Sequence, residues 1–167
     1  MSELILPRTG ILAFMDDEAR ERFASYGMVE QITPGQVVIR EGEQNFNLYV
    51  VLSGSFTICT HATGQEVHLD DVGAGDCLGE VAVFQPGVTS ATVTCTQPGQ
   101  LWHIDVGNLQ QFLTDWPHAG CAAVLGINTL LSRRLKRANS VIRSHQILPT
   151  FLSIRSKKRP DYVAQQS

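Results

Sequence analysis

GDCLGEVAVFQPGVTSATV, running from Gly75 to Val93, is the most specific stretch of the chain. Its residues read as a turn, a short strand at Cys77–Leu78, and a brief helical turn opened by Gly79 and Glu80. A Pro86-Gly87 loop follows, and then a strand that begins with Ser90, Ala91 and Thr92. Small residues at both ends let backbone amides approach a bound group closely. A short helix presents N–H groups suited to an anionic oxygen. The carboxylate of Glu80 is of the right kind to accept hydrogen bonds from sugar hydroxyls.

Outward from this stretch, from Met28 to about Asp105, short runs rich in Val, Ile, Thr and Phe are punctuated by Gly or Pro. The strand candidates are MVEQI, QVVIR, NLYVVLS, SFTICTH, QEVHLDDV, Cys77–Leu78, SATVTC and QLWHID. In SFTICTH, Phe56 and Ile58 alternate with Ser55, Thr57 and Cys59, as a strand with one buried face requires. Eight strands with even turn spacing predict a mainly β fold, an eight-stranded antiparallel β-roll or jelly roll.

Helices flank the roll. Met15 to Tyr26 is amphipathic, with Asp16 and Asp17 at its N-terminal end and Gly27 after its last turn. Past Asp105 the hydrophobic period becomes helical, over Val106 to Trp116 with an end near Pro117, and again over Ala119 to about Gln146. In the second of these, Leu131, Leu135, Ala138 and Ile142 recur at alternating spacings of four and three, a seam suited to a partner helix. The organisation expected is therefore an N-terminal helical segment (1–27), a roll (28–105), C-terminal helices (106–146) and a flexible basic tail (147–167).

The chain of 167 residues is 43% hydrophobic and 17% charged, which fits one folded domain and excludes disorder for its bulk. The apolar run Ala119 to Ile127 is far short of the ~20 residues of a membrane span. Glu3 stands where a secretory leader carries positive charge, so no export signal and a cytoplasmic location are expected. Cys59, Cys77, Cys95 and Cys121 are scattered without a CxxC pair and read as small hydrophobes of a reduced core. The net charge of −3 divides into −11 over residues 1–132 and +8 over 133–167. Between Arg40 and Arg133 there is no Lys or Arg, so an anion bound there relies on backbone N–H groups, hydroxyls, or arginines from elsewhere.

Taken with its surroundings, the Gly75–Val93 stretch resembles the phosphate-binding cassette of the cyclic nucleotide-binding domain family, through Gly75, Gly79, Glu80, Ala82, Ala91 and Val93. REGEQNFNLYVVLSGSFTI is similar to the family's paired strands, with Gly42, Tyr49, Val51 and Gly54 at recurring positions. LSRRLKRANSVI resembles the dimer and lid helix of catabolite-activator-type regulators, and the likeness covers roughly Phe23 to Arg143. It implies a stand-alone, non-catalytic sensor whose ligand is cAMP or cGMP, with no cofactor and with the C-terminal helix closing over the base. On that resemblance Glu80 accepts the ribose 2′-hydroxyl, and N–H groups around Gly79, Val81, Ala82 and Ala91 face the cyclic phosphate. Ser90 or Thr92 sits beside the base or phosphate, and Asn139 or Ser140 meets the base edge.

One position departs from the family pattern. Where the cassette normally carries an arginine for the phosphate, this chain has Thr89. A charge-assisted bond is worth roughly 1.5–3 kcal/mol, so its loss weakens binding about tenfold to a hundredfold or more. Arg133 and Arg134 on the lid helix are the candidate substitutes, and Thr89, Ser90 and Thr92 together offer hydroxyls for a weakly anionic ligand.

Other function classes leave weaker traces. A metal-dependent roll enzyme needs clustered ligands, yet His61, His68 and His103 form no HxH pair, and no metal site is expected. A sequence-specific DNA reader needs a helix-turn-helix after the long helix, and only about twenty residues follow Gln146. The basic RSKKRP run fits nonspecific contact with DNA or anionic lipid. The alternative to a sensor is a roll that has lost its nucleotide and serves as a homodimerisation or protein-docking module.

Overall fold

The computed structural model describes residues 6–62, 64–85 and 87–144, without the side chains of Ala62, Ala82 and residues 141–144. The expected tail (147–167), Gln146 and the side chain of Ile142 lie outside what it describes. The chain forms two compact units, Met1–Leu130 and Leu131–Ser167.

The first unit opens with a 3-10 turn at Gly10–Leu12 and helix α1, Asp17–Ala24. Asp16 caps α1 by accepting a hydrogen bond from Ala19 N at 2.8 Å, and Asp17 and Glu18 occupy its first turn. The strands are β1 (Met28–Ile32), β2 (Val37–Ile39), β3 (Asn47–Ala62), β4 (Gln65–Gly73), β5 (Cys77–Leu78) and β6 (Thr92–Asp105). Helix α2 (Glu80–Phe84) lies between β5 and β6, and α3 (Val106–Asp115) follows β6. All pairings are antiparallel, in the order β1-β6-β3-β4, with β2 added on β6 and β5 on β3.

The fold is the mainly β, helix-flanked roll that the sequence predicts, with one difference in strand count. NLYVVLS and SFTICTH form the single strand β3, and SATVTC and QLWHID form β6. Gly54 and Pro98-Gly99 bend the chain without breaking the ladder. Gly54 has φ of 87°, and a Cβ on it would sit 2.6 Å from Gly99 Cα. The β3–β6 register shifts around Ser53 and Ser55, so two adjacent strands bend together and stay paired.

Ile32, Ile39, Val51, Phe56, Val72, Leu78, Val93 and Leu101 fill the roll, each fully buried aliphatic or aromatic side chain contributing roughly 1.5–3 kcal/mol. A second cluster anchors the flanking helices. Phe23 of α1 packs 4.7 Å, centroid to centroid, from both Trp102 and Phe112, and Trp102 Nε1 donates to Ala24 O at 3.1 Å. Cys77 and Cys95 are buried as expected and Cys59 is half-buried. Cys121 is not a core residue: it is exposed on helix α4, Pro117–Ser144, whose buried side carries Ala123, Gly126 and Ile127. Gly126 is packed so tightly on the 3-10 turn that a Cβ would lie 1.8 Å from Ile11 O. α3, Val106–Asp115, ends beside Pro117 as the sequence predicts, and Pro117 itself starts α4, ahead of the expected Ala119, because the first helical position needs no N–H and accepts proline. Among the described residues, no helix is long and apolar enough to cross a membrane.

Candidate functional site

The cassette is built at one corner, where three separated pieces of chain meet: residues 40–47, the β5–α2 junction, and residues 88–92. Gly79 is the pivot. It caps α2 in the left-handed conformation, with φ 74° and ψ 9°. A side chain there is impossible without rearrangement, since its Cβ would stand 2.3 Å from Asn47 O and 2.6 Å from Asn45 Nδ2. The turn delivers Glu80 directly into the interior, where it is 5% exposed although it is an acid. Val81, one residue on, faces solvent at 56% exposure. Ala82 follows in α2, so the backbone of Gly79 through Ala82 forms the helical entrance that the sequence assigns to an anion.

The second wall is the run from Val88 to Thr92. Val88 bridges Gln44. Thr89 N donates to Glu43 O at 2.9 Å, and Gly42 N donates to Thr89 O at 2.9 Å. The Thr89 hydroxyl donates to Arg40 O and lies 3.1 Å from Glu43 O. Thr92 Oγ1 accepts from Glu41 N at 3.0 Å. The two threonine hydroxyls therefore stitch the loop to residues 40–43, while Ser90 is exposed and Ala91 half-buried. Arg40 meets Thr89 through its carbonyl. Its side chain is 59% exposed, with Nε 3.5 Å from Glu43 Oε1.

The 40–43 segment is itself held from β3. Thr60 Oγ1 donates to Glu41 Oε1 at 2.7 Å, His61 N donates to Oε2 at 2.9 Å, and His61 Nδ1 lies 3.2 Å from the same oxygen. The Thr60 hydroxyl first, and then the His61 amide, hold the Glu41 carboxyl below its ordinary pKa. Sequence reading missed Glu41, Thr60 and Asn45. Only the turn chemistry of Gly42 and Asn45 hinted at this corner, because its partners lie far along the chain.

The remaining sequence candidates belong to the second unit. Arg133 and Asn139 are exposed on α4, Arg134 is partly exposed, and Leu135 is 63% exposed. Ala138 is exposed and Leu131 partly so. Elsewhere in the first unit a cavity of about 370 Å³ is lined by Tyr26, Met28, Asn47, His103, Asp105 and Asn108 among others, and includes neither Glu80 nor Thr89. Among the described residues, no three His, Cys, Asp or Glu side chains are grouped to hold a metal.

Comparisons with known proteins agree with this architecture. A CRP-like cAMP-activated global transcriptional regulator of Mycobacterium tuberculosis is 28% identical over 137 residues, which is 81% of this chain and 59% of the regulator. The chain thus spans about three-fifths of that relative's length. The crystal structure of the N-terminal domain of a Streptomyces coelicolor transcriptional regulator is 28% identical, with a TM-score of 0.66 over 81% of this chain and 92% of that one. A cyclic nucleotide-binding domain from Methylobacillus flagellatus shares the fold at 19% identity, with a TM-score of 0.76 over 80% of this chain and 75% of that one. The family model for the cyclic nucleotide-binding domain matches residues 29–115, more than half of the chain and the whole of the corner described above. The chain belongs to the cyclic nucleotide-binding domain family.

Proposed function

We propose that the chain is a non-catalytic, ligand-responsive regulatory module whose cassette takes cAMP or cGMP. The observation that carries this reading is the left-handed Gly79, which puts a buried carboxylate at the head of a short helix. Glu80 accepts the ribose 2′-hydroxyl, and the N–H groups of Gly79, Val81, Ala82 and Ala91 face the cyclic phosphate. Ser90 and Thr92 border the ligand, and Thr89 stands where the family arginine would reach the phosphate. Occupancy of the cassette shifts the C-terminal helix. The module works in the cytoplasm as a homodimer through Leu131, Leu135, Ala138 and Ile142.

A second reading rests on Thr89. Its hydroxyl donates to protein carbonyls rather than standing open, which fits a roll that has lost its nucleotide and serves in dimerisation or protein docking. Isothermal titration with cAMP, cGMP and a cyclic dinucleotide at two salt concentrations separates the two. Saturable one-site binding supports the sensor. No binding by the native chain, followed by binding once arginine replaces Thr89, supports the lapsed cassette.

A further inference from the structure

Asn45 is one of only three buried polar or charged residues among those described, with Arg20 and Glu80. It is 7% exposed, and its amide is used on both sides. Oδ1 accepts from Asn47 N at 3.2 Å, and Nδ2 donates to Asn47 O at 2.7 Å. This closes an Asx-type turn immediately before β3. The same two atoms that a Gly79 Cβ would strike are Asn47 O and Asn45 Nδ2, so Gly79 Cα rests directly on this closed turn. From the other side the turn is fixed to the start of α3, where Val106 N donates to Phe46 O at 2.9 Å and Asn47 pairs with Asp105. Asp105 in turn caps α3 by accepting from Asn108 N at 2.9 Å.

We infer that Asn45 is a positioning residue of the cassette: it touches no ligand, and its amide sets the height at which Gly79 turns and therefore where Glu80 and the first N–H groups of α2 point. The physical reason is geometric. A binding constellation must be held to within roughly 0.5 Å, and side chains locked by packing and hydrogen bonds provide that hold. Without the amide, Gly79 faces a gap on the side where it is now supported, and the Asn47 carbonyl, unpaired on that side, turns away. This inference rests on the nucleotide-binding reading for its effect on affinity, but its effect on α2 is independent of any ligand.

The test uses the full chain and two variants, Asn45→Ala and Asn45→Ser. Serine closes the same turn to Asn47 N but does not span to Asn47 O, so its effects fall between wild type and alanine, and it remains informative if alanine fails to fold. In the ligand-free protein, hydrogen exchange is read at the Gln85 amide, which donates to Val81 O at 2.9 Å, and at the remote Gly120 amide, which donates to Trp116 O at 2.7 Å. The expected result is exchange faster by about tenfold or more at Gln85 with Gly120 unchanged, and a cAMP Kd raised by a comparable factor, about 1.4 kcal/mol per decade. Equal acceleration at both amides makes Asn45 a general stability residue and overturns the inference, as does no change at Gln85. If wild type binds neither cAMP nor cGMP, the nucleotide-binding reading fails, and the exchange ratio alone decides for or against Asn45.

Discussion

Replacing Thr89 with arginine is expected to tighten cAMP binding by about one to two orders of magnitude. The main-chain bonds at this position, Thr89 N to Glu43 O and Gly42 N to Thr89 O, both 2.9 Å, do not depend on the side chain and keep the loop in place. What is lost is the hydroxyl's attachment to Arg40 O and Glu43 O, a net contribution of about 0.5–1.5 kcal/mol. That loss falls on free and bound protein alike, so it lowers stability and leaves affinity untouched. For a chain of this size it corresponds to a Tm lower by roughly 2–4 °C per kcal/mol. The gain, a charge-assisted bond from guanidinium to phosphate, is about 1.5–3 kcal/mol and appears only in the complex. At 1.4 kcal/mol per decade this is about tenfold to slightly over a hundredfold. Calorimetric titration of wild type, Thr89→Arg and Thr89→Gln measures it, glutamine losing the hydroxyl without adding charge. Unchanged affinity in a folded Thr89→Arg protein would refute the placement of the phosphate beside residue 89.

Glu80→Gln keeps the shape of a buried side chain but weakens it as an acceptor, so cAMP affinity is expected to fall tenfold or more, by the same arithmetic. An affinity within twofold of wild type removes Glu80 from the ribose. Leu135→Glu places charge on a side chain that is 63% exposed, so the fold should persist while light scattering on a sizing column reports monomers. A persisting dimer would put the interface elsewhere. The fold holds the Glu41 carboxyl below its ordinary pKa of 4.5, chiefly through the Thr60 hydroxyl. A lowered acid stabilises above its unfolded pKa, and the benefit is lost as pH falls through the folded value. The Tm difference between wild type and Glu41→Gln should therefore be full near neutrality and shrink below about pH 4.5. A difference constant down to pH 3 would contradict the bonding described for Glu41.

Several elements were readable because their cause is local. Asp16 announces the start of α1, and Val, Ile and Thr runs announce the strands. The glycine and glutamate of the cassette could be named before any fold was known. What was not readable depends on residues distant in sequence. Gly54 and Pro98-Gly99 look like breaks, and only their facing positions reveal a shared bend in which the ladder continues. Thr89 reads as a loop hydroxyl open to a ligand. Its use by Arg40 and Glu43 follows from the bridge between Gln44 and Val88, which no local period encodes. Asn45 carries a turn signal, but not the information that Gly79 will rest upon it.

The enclosure of the cassette between β3 and β6 has a consequence for how the chain reaches its native state. Pairing Asn47 with Asp105 and Cys59 with Thr92 closes the whole intervening segment as a loop. Such non-local pairing places folding in the slow range, from milliseconds to seconds. The carbonyl that supports Gly79 belongs to the first residue of β3, so a half-zipped chain has no binding corner at all. A small molecule that fits can therefore recognise only the completed roll. It would leave the folding rate unchanged and slow unfolding, adding about 2.7 kcal/mol at a hundred times its Kd. Unfolding kinetics thus provide a search for the ligand that requires no knowledge of the module's output.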